Sequence, residues 1–218
     1  MPRNIRIMKK LTALLVGALL LPVAVFAAQF EEGKHYEVIS EQATAKPEVK
    51  EYFSFYCPAC FGYEPKVQAL AKQLPAGTEL KKVHVDFLQH AAPEIQVTLA
   101  KAYLVAKNLG KGDQVASAFF NHIHVDRKAF ASDDDIKAVV VSNGVDADTY
   151  DKALKSFTVA GGAKQMKKEQ DALSARRVLT GVPTFIVNGK YKILNQGLSR
   201  ENQDEEFKQL VNFLLTQS

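Results

Sequence analysis

The 218-residue sequence points to an α/β domain split by an all-helical insertion. Three features carry that expectation. A strand–helix–strand pattern opens the chain after an apolar leader. A run of about 80 residues, from Leu88 to Gln170, then shows helical periodicity only. The chain closes on a strand–turn–strand and one amphipathic helix, so a core domain interrupted by a cap explains the order better than two consecutive domains. With 47% hydrophobic residues there is ample apolar material for a buried core.

The leader comes first. "MPRNIRIMKK" carries Arg3, Arg6, Lys9 and Lys10 without an acid, and the apolar run Leu11 to Ala27 follows. A basic segment, an apolar segment and small residues at the end are the layout of a secretory signal peptide. Val25 and Ala27 suit the positions three and one before the cut, which places cleavage between Ala27 and Ala28. The rival reading is an uncleaved membrane anchor, against which Pro22 and the Ala-rich end argue. The four leader cations account for the whole formal charge of +4, so the basic pI of 8.9 is a targeting feature and not the mark of an anionic partner.

Next, "KHYEVI" and "VKEYFSFY" read as strands rich in β-branched and aromatic residues, broken near Pro47. A helix is expected from Pro58 to about Gln73, with Pro58 in the first turn, where its missing N–H costs nothing. Phe61, Val67, Leu70, Ala71 and Leu74 form its apolar face, and Pro65 should kink it without ending it. Glu79 to Phe87 alternates as a further strand, which completes a βαβ unit with Cys57 at the strand-to-helix turn.

In the insertion, "PEIQVTLAKAYLVAKNLG" aligns Ile95, Leu99, Ala102, Tyr103 and Ala106 on one face. Ser132 is the expected N-cap of the next helix, which ends at Asn143-Gly144, and Asp146 caps a third. A long polar-faced helix is expected from about Gly162 to Val178. Beyond it, "PTFIVNGKYKIL" is two apolar runs joined by Asn188-Gly189, a pair that tolerates the positive φ of a type I′ turn. The final helix, about Asn202 to Thr216, aligns Phe207, Leu210, Val211, Leu214 and Leu215. No repeat, phosphate-binding glycine loop or basic-aromatic stripe is present in the sequence, so nucleic acid is not indicated.

Cys57 and Cys60 are the only cysteines. A staple, half of a metal site and a reagent are the three possibilities. Closing so short a loop constrains the unfolded chain very little, which disfavours the staple. Structural zinc needs four ligands, and the other clustered candidates, His122 and His124, lie in the insertion and read as surface or packed polar residues. The reagent remains. At the first turn of a helix, unpaired N–H groups and the positive end of the macrodipole stabilise a thiolate at Cys57. Cys57 is then the exposed, acidic, attacking sulfur, and Cys60 its buried partner that re-forms the bond.

"EYFSFYCPAC" after a strand, with "GVPTFIVNGKY" later, resembles the thioredoxin superfamily, and within it the DsbA group of exported thiol/disulfide oxidoreductases. The resemblance runs from "AQFEEGKHY" to the C-terminal helix. It implies a thioredoxin fold over residues 28–88 and 170–218, with a helical domain at 89–169. By resemblance, Val182-Pro183 is the cis-proline dipeptide that faces the disulfide and presents its backbone to a substrate strand. Glu51 resembles the family's buried acid beneath the site and Lys82 its strand partner, a pair able to tune the sulfurs or move protons. Pro58 and Ala59 occupy the dipeptide between the cysteines. Many DsbA oxidants have histidine where this chain has Ala59, so Cys57 is expected to be less acidic and the disulfide less oxidising than in those members.

The expected function is therefore that of a periplasmic enzyme donating its Cys57–Cys60 disulfide to newly exported proteins with reduced cysteines. It would act without organic cofactor or metal, as a monomer. By resemblance, a DsbB-like, quinone-linked membrane protein would reoxidise it. The alternatives are an exported reductase or isomerase, and a non-catalytic chaperone-like binding module. Isomerases of the DsbC kind carry an additional N-terminal domain, for which strand-like sequence so soon after the expected cleavage point leaves no room.

Overall fold

The computed structural model describes residues 30–217, and the expected signal peptide with its cleavage point lies outside them. Five strands form one mixed sheet: β1 (Tyr36–Val38), β2 (Glu48–Phe53), β3 (Glu79–His84), β4 (Thr184–Val187) and β5 (Tyr191–Ile193), in the order β1-β5-β4-β2-β3. β2 and β3 run parallel with Glu51 opposite Lys82, joined through helix α1 (Pro58–Ala71), because a parallel pair needs a crossover. β4 lies antiparallel on the other side of β2, with Glu51 opposite Phe185. Asn188 and Gly189 both take positive φ, 52° and 63°, and Lys190 N–H donates to the Val187 carbonyl at 3.0 Å, as a type I′ hairpin turn requires. β1 closes the edge beside β5.

Five helices fall between β3 and β4: α2 (Pro93–Asn108), α3 (Gly112–His124), α4 (Asp133–Ser142), α5 (Ala147–Leu154) and α6 (Phe157–Ala175). A 3-10 turn (Asn195–Gly197) and α7 (Gln203–Thr216) end the chain. Two apolar clusters flank the sheet, and β4 shows the alternation that separates them. Phe185 and Val187 join Val67 and Leu70 of α1 and Phe207, Leu210, Val211 and Leu214 of α7, whereas Ile186 joins the cluster built with the inserted helices. Among the described residues no helix is long and apolar enough to cross a membrane.

Several expected boundaries move. The strands after Pro47 and after Gly77 are shorter than read, ending at Phe53 and His84. α1 ends at Ala71, and passes through Pro65 without ending there. α3 was not separately expected. Its N-cap, Lys111, makes no side-chain capping bond, so the sequence lacks a start signal there. α4 starts as expected: Ser132 and Asp135 form a reciprocal capping box. α6 begins at Phe157 and not near Gly162, because Ser156 caps it, its hydroxyl accepting from Val159 N at 3.3 Å. Gly162 is an interior contact: a Cβ there would lie 3.0 Å from Leu104 of α2. Ile95 and Leu215, placed on apolar faces by spacing, are only partly buried.

Candidate active site

β2 gives way after Phe53 to a tight turn in which Cys57 N–H donates to the Ser54 carbonyl at 3.1 Å and Tyr56 N–H to the Ser54 hydroxyl at 3.2 Å. α1 starts at once. Cys57 is its N-cap and Pro58 its first helical residue, so the Cys57 sulfur takes the place usually filled by a Ser or Asp oxygen. It accepts the Cys60 N–H at 3.1 Å. Both cysteines are free thiols, and Cys57 S–H donates to the Val182 carbonyl at 3.4 Å. The Val182–Pro183 peptide is cis, as the resemblance implied.

The Cys57 thiol is held below its ordinary value, chiefly by a hydrogen bond from Cys60; burial opposes this, and the backbone N–H groups of Cys60 and Ala59 assist. Burial, and then the same bond to Cys57, push Cys60 far up. The two sulfurs are thus pushed in opposite directions, Cys57 toward easier loss of its proton and Cys60 toward keeping it. The expectation of an exposed Cys57 needs correction: the residue is 4% exposed against 0% for Cys60, because its sulfur is tucked between the α1 amides and the Val182 carbonyl. Pro58 and Ala59 are the exposed members of the motif.

Glu51 is fully buried, 3.1 Å from Lys82 Nζ. Burial raises its carboxyl to about 7 despite the attraction of Lys82, with Glu64 adding to the rise, and its charge in turn raises both sulfurs. Burial works to lower Lys82, but the charges of Glu51 and Glu64 outweigh it, and the ammonium stays above its ordinary value. Lys82 also lies 4.5 Å from the centre of the Phe53 ring. Glu64 was missed by sequence reasoning. It pairs with Lys82 from α1 and accepts from Gln68 Nε2 at 3.0 Å. The available signal was spacing, since Glu64 stands one helical turn after Cys60 and shares its buried face.

The insertion reaches the same turn. His124 Nε2 bonds the Phe55 carbonyl at 2.8 Å, and its ring stacks on Phe61 at 5.1 Å and 11°. His122 stacks on Phe130 at 4.3 Å. These two histidines are packed against aromatic rings. Among the described residues no three His, Cys, Asp or Glu side chains group as a metal site needs.

The profile of the DSBA-like thioredoxin domain family matches residues 48–207. The thiol:disulfide interchange protein DsbA of Pectobacterium carotovorum subsp. carotovorum is 38% identical over 215 residues, spanning 96% of this chain and 99% of that protein. DsbA of Haemophilus influenzae is 37% identical over 211 residues, 95% of this chain and 98% of that one. The crystal structure of Proteus mirabilis DsbA superposes with a TM-score of 0.75 at 34% identity, over 88% of this chain and 100% of that one. A Cys-to-Ser form of the same protein with the non-covalently bound peptide PWATCDS gives 0.74 at 33%, over 86% and 99%. The likeness spans the sheet, the inserted helices and the helix start at Cys57, and the chain belongs to the DsbA family of thioredoxin-fold thiol:disulfide oxidoreductases.

Proposed function

We propose that Cys57 is the sulfur that exchanges with substrate and that the Cys57–Cys60 disulfide is donated to newly exported proteins in the periplasm. One observation carries this: Cys57 Sγ caps α1 and accepts the Cys60 N–H at 3.1 Å, an arrangement that favours the reduced form with a thiolate at Cys57. A disulfide whose reduction releases so stabilised a thiolate is readily reduced, and so oxidises other proteins.

In the exchange, a substrate thiolate attacks the Cys57 sulfur of the disulfide. A bond forms between substrate sulfur and Cys57, the Cys57–Cys60 bond breaks, and Cys60 leaves with the electron pair. The Cys60 thiol is held far above its ordinary value, so it takes up a proton, for which Glu51 with its carboxyl near 7 is the buried donor. A second substrate thiolate then attacks the substrate sulfur of the mixed disulfide, and Cys57 departs as a thiolate. The substrate loses two electrons, and Cys57 and Cys60 gain them. Sulfur carries out every step, so no organic cofactor or metal is required.

Val182 and Pro183 form the wall against which a substrate strand lies, since the Val182 carbonyl already accepts from Cys57. The peptide-bound Proteus mirabilis DsbA supports polypeptide as the substrate class. Residues 1–27 act as a cleaved signal peptide, residues 28–88 and 170–218 as the thioredoxin-like domain, and 89–169 as its helical insert. A DsbB-like, quinone-linked membrane protein removes the electrons, and the enzyme works as a monomer. Oxidation of a reduced two-cysteine peptide tests the reading. The parent is expected to form the disulfide and Cys57→Ser to fail, whereas equal behaviour would reassign the chain as a binding module.

A further inference from the structure

The turn that carries Cys57 is gripped by two imidazoles from distant parts of the chain. Ser54 and Cys57 close it, so Phe55 and Tyr56 are its central residues. His84, at the end of β3, accepts the Phe55 N–H on Nε2 at 3.2 Å. His124, at the end of α3, meets the Phe55 carbonyl with Nε2 at 2.8 Å. A carbonyl only accepts, so His124 carries its hydrogen on Nε2; an amide only donates, so neutral His84 carries its hydrogen on Nδ1. Burial pushes His84 down to about 3, with Lys82 adding to this, which keeps it neutral and able to accept. Both polar groups of one buried residue, two positions before Cys57, are thereby fixed.

His124 reaches further. Its ring lies parallel to Phe61, the residue after Cys60, and α3 also supplies Phe119 and Phe120, whose rings stand 5.1 and 5.0 Å from Phe55. The motif lacks a histidine between its cysteines, yet an imidazole holds the peptide just ahead of them.

We propose that His124 is a positioning residue for thiol–disulfide exchange: by holding the Phe55 carbonyl it orients the central peptide of the turn that presents Cys57. The inference rests on Cys57 being the exchanging sulfur. The Phe55–Tyr56 peptide carries a dipole whose negative end is anchored on the α3 side by His124, while Tyr56 N–H is held by the Ser54 hydroxyl. Released, that peptide can rotate and change the field at the sulfur, which alters how far the reduced form is favoured.

Two variants of the full-length protein separate this from simple packing. His124→Phe keeps a ring on Phe61 but has no N–H; His124→Gln keeps an N–H donor but no ring. For each, the equilibrium constant with glutathione is read by thiol trapping, and Cys57 ionisation by thiolate absorbance. His124→Phe is expected to shift the constant by about five-fold, because the changed field acts on the Cys57 thiolate and not on the disulfide, with Cys57 ionisation moving in step, and His124→Gln to stay closer to the parent. Unchanged constants in both variants would overturn the inference, whatever happens to their thermal stability. So would equal shifts in both, because the carbonyl bond would then not be the cause. A parent that never equilibrates with glutathione would overturn the exchange reading and this inference with it, whereas an equilibrating parent with unchanged variants overturns this inference alone.

Discussion

At Glu51 burial and charge oppose each other, and the conflict has a pH signature. Its carboxyl sits at about 7 in the fold against 4.5 ordinarily, so the native state retains a proton that the unfolded chain has already released. Stability contributed by this group is full below about 4.5, falls as pH rises to about 7 and is level beyond. Glu51→Gln cannot titrate there. Its unfolding free energy, read from denaturant titrations, is expected to gain on the parent's between pH 4.5 and 8 by at most about 3.5 kcal/mol, with the gap opening inside that window. A gap independent of pH would show that Glu51 is ionised throughout. Ala59 supports a second prediction. It is exposed beside Cys57, and a methyl group supplies no charge to the sulfur. Ala59→His should raise the acidity of Cys57 roughly tenfold as imidazolium, read from thiolate absorbance; coincident titrations of the two proteins would refute it. Glu51 and Lys82 were identified through resemblance, since sequence alone gives no sign that two strand charges will be buried. Glu64 escaped because its partner, Lys82, lies 18 positions away; His124 was read as surface or packed polar, but its bond to Phe55, 69 positions away, is set by tertiary packing.

Among the elements, legibility followed local signals. The Asn188–Gly189 hairpin was readable because few residue pairs tolerate two successive positive φ angles, and the Ser132 and Asp146 caps were readable because their side chains bond amides three residues on. The start of α6 lies five residues before the expected Gly162, at Phe157, where the Ser156 hydroxyl supplies the cap. In the fold, Gly162 is where α6 comes close to Leu104. Gly197, after the last strand, is more constrained still: a Cβ there would lie 1.9 Å from the Lys34 carbonyl oxygen, a backbone atom with little room to retreat. Gly197→Ala is therefore expected to cost about 2 kcal/mol or more in urea denaturation. An unchanged midpoint would mean that the segment before β1 shifts freely.

On the scale of the whole molecule, the sheet is covered by α1 and α7 in one cluster and by the inserted helices in the other, and the second contact is partly polar. Glu169 of α6 accepts from Lys50 Nζ at 2.9 Å and Tyr52 Oη at 3.2 Å, while Gln170 both donates to Asp86 Oδ1 and accepts its N–H. Glu169→Leu is expected to destabilise by about 1–3 kcal/mol, since it leaves Lys50 and the buried Tyr52 hydroxyl without that carboxylate; a neutral substitution would show that the apolar cluster alone seats the insert. An interrupted α/β order was visible in the sequence, but this seating was not, because Lys50 and Glu169 stand 119 positions apart. The seating matters because the same inserted block carries His124 to the Cys57 turn, so its placement and the reactivity of the cysteines are linked. The central consequence of the proposed function is a reduced pair stabilised through the Cys57 thiolate. The most direct test is the redox state of Cys57 and Cys60 across a glutathione series, read by thiol trapping. A pair already reduced at oxidising ratios is the predicted result. A disulfide that persists until the buffer is strongly reducing would contradict it.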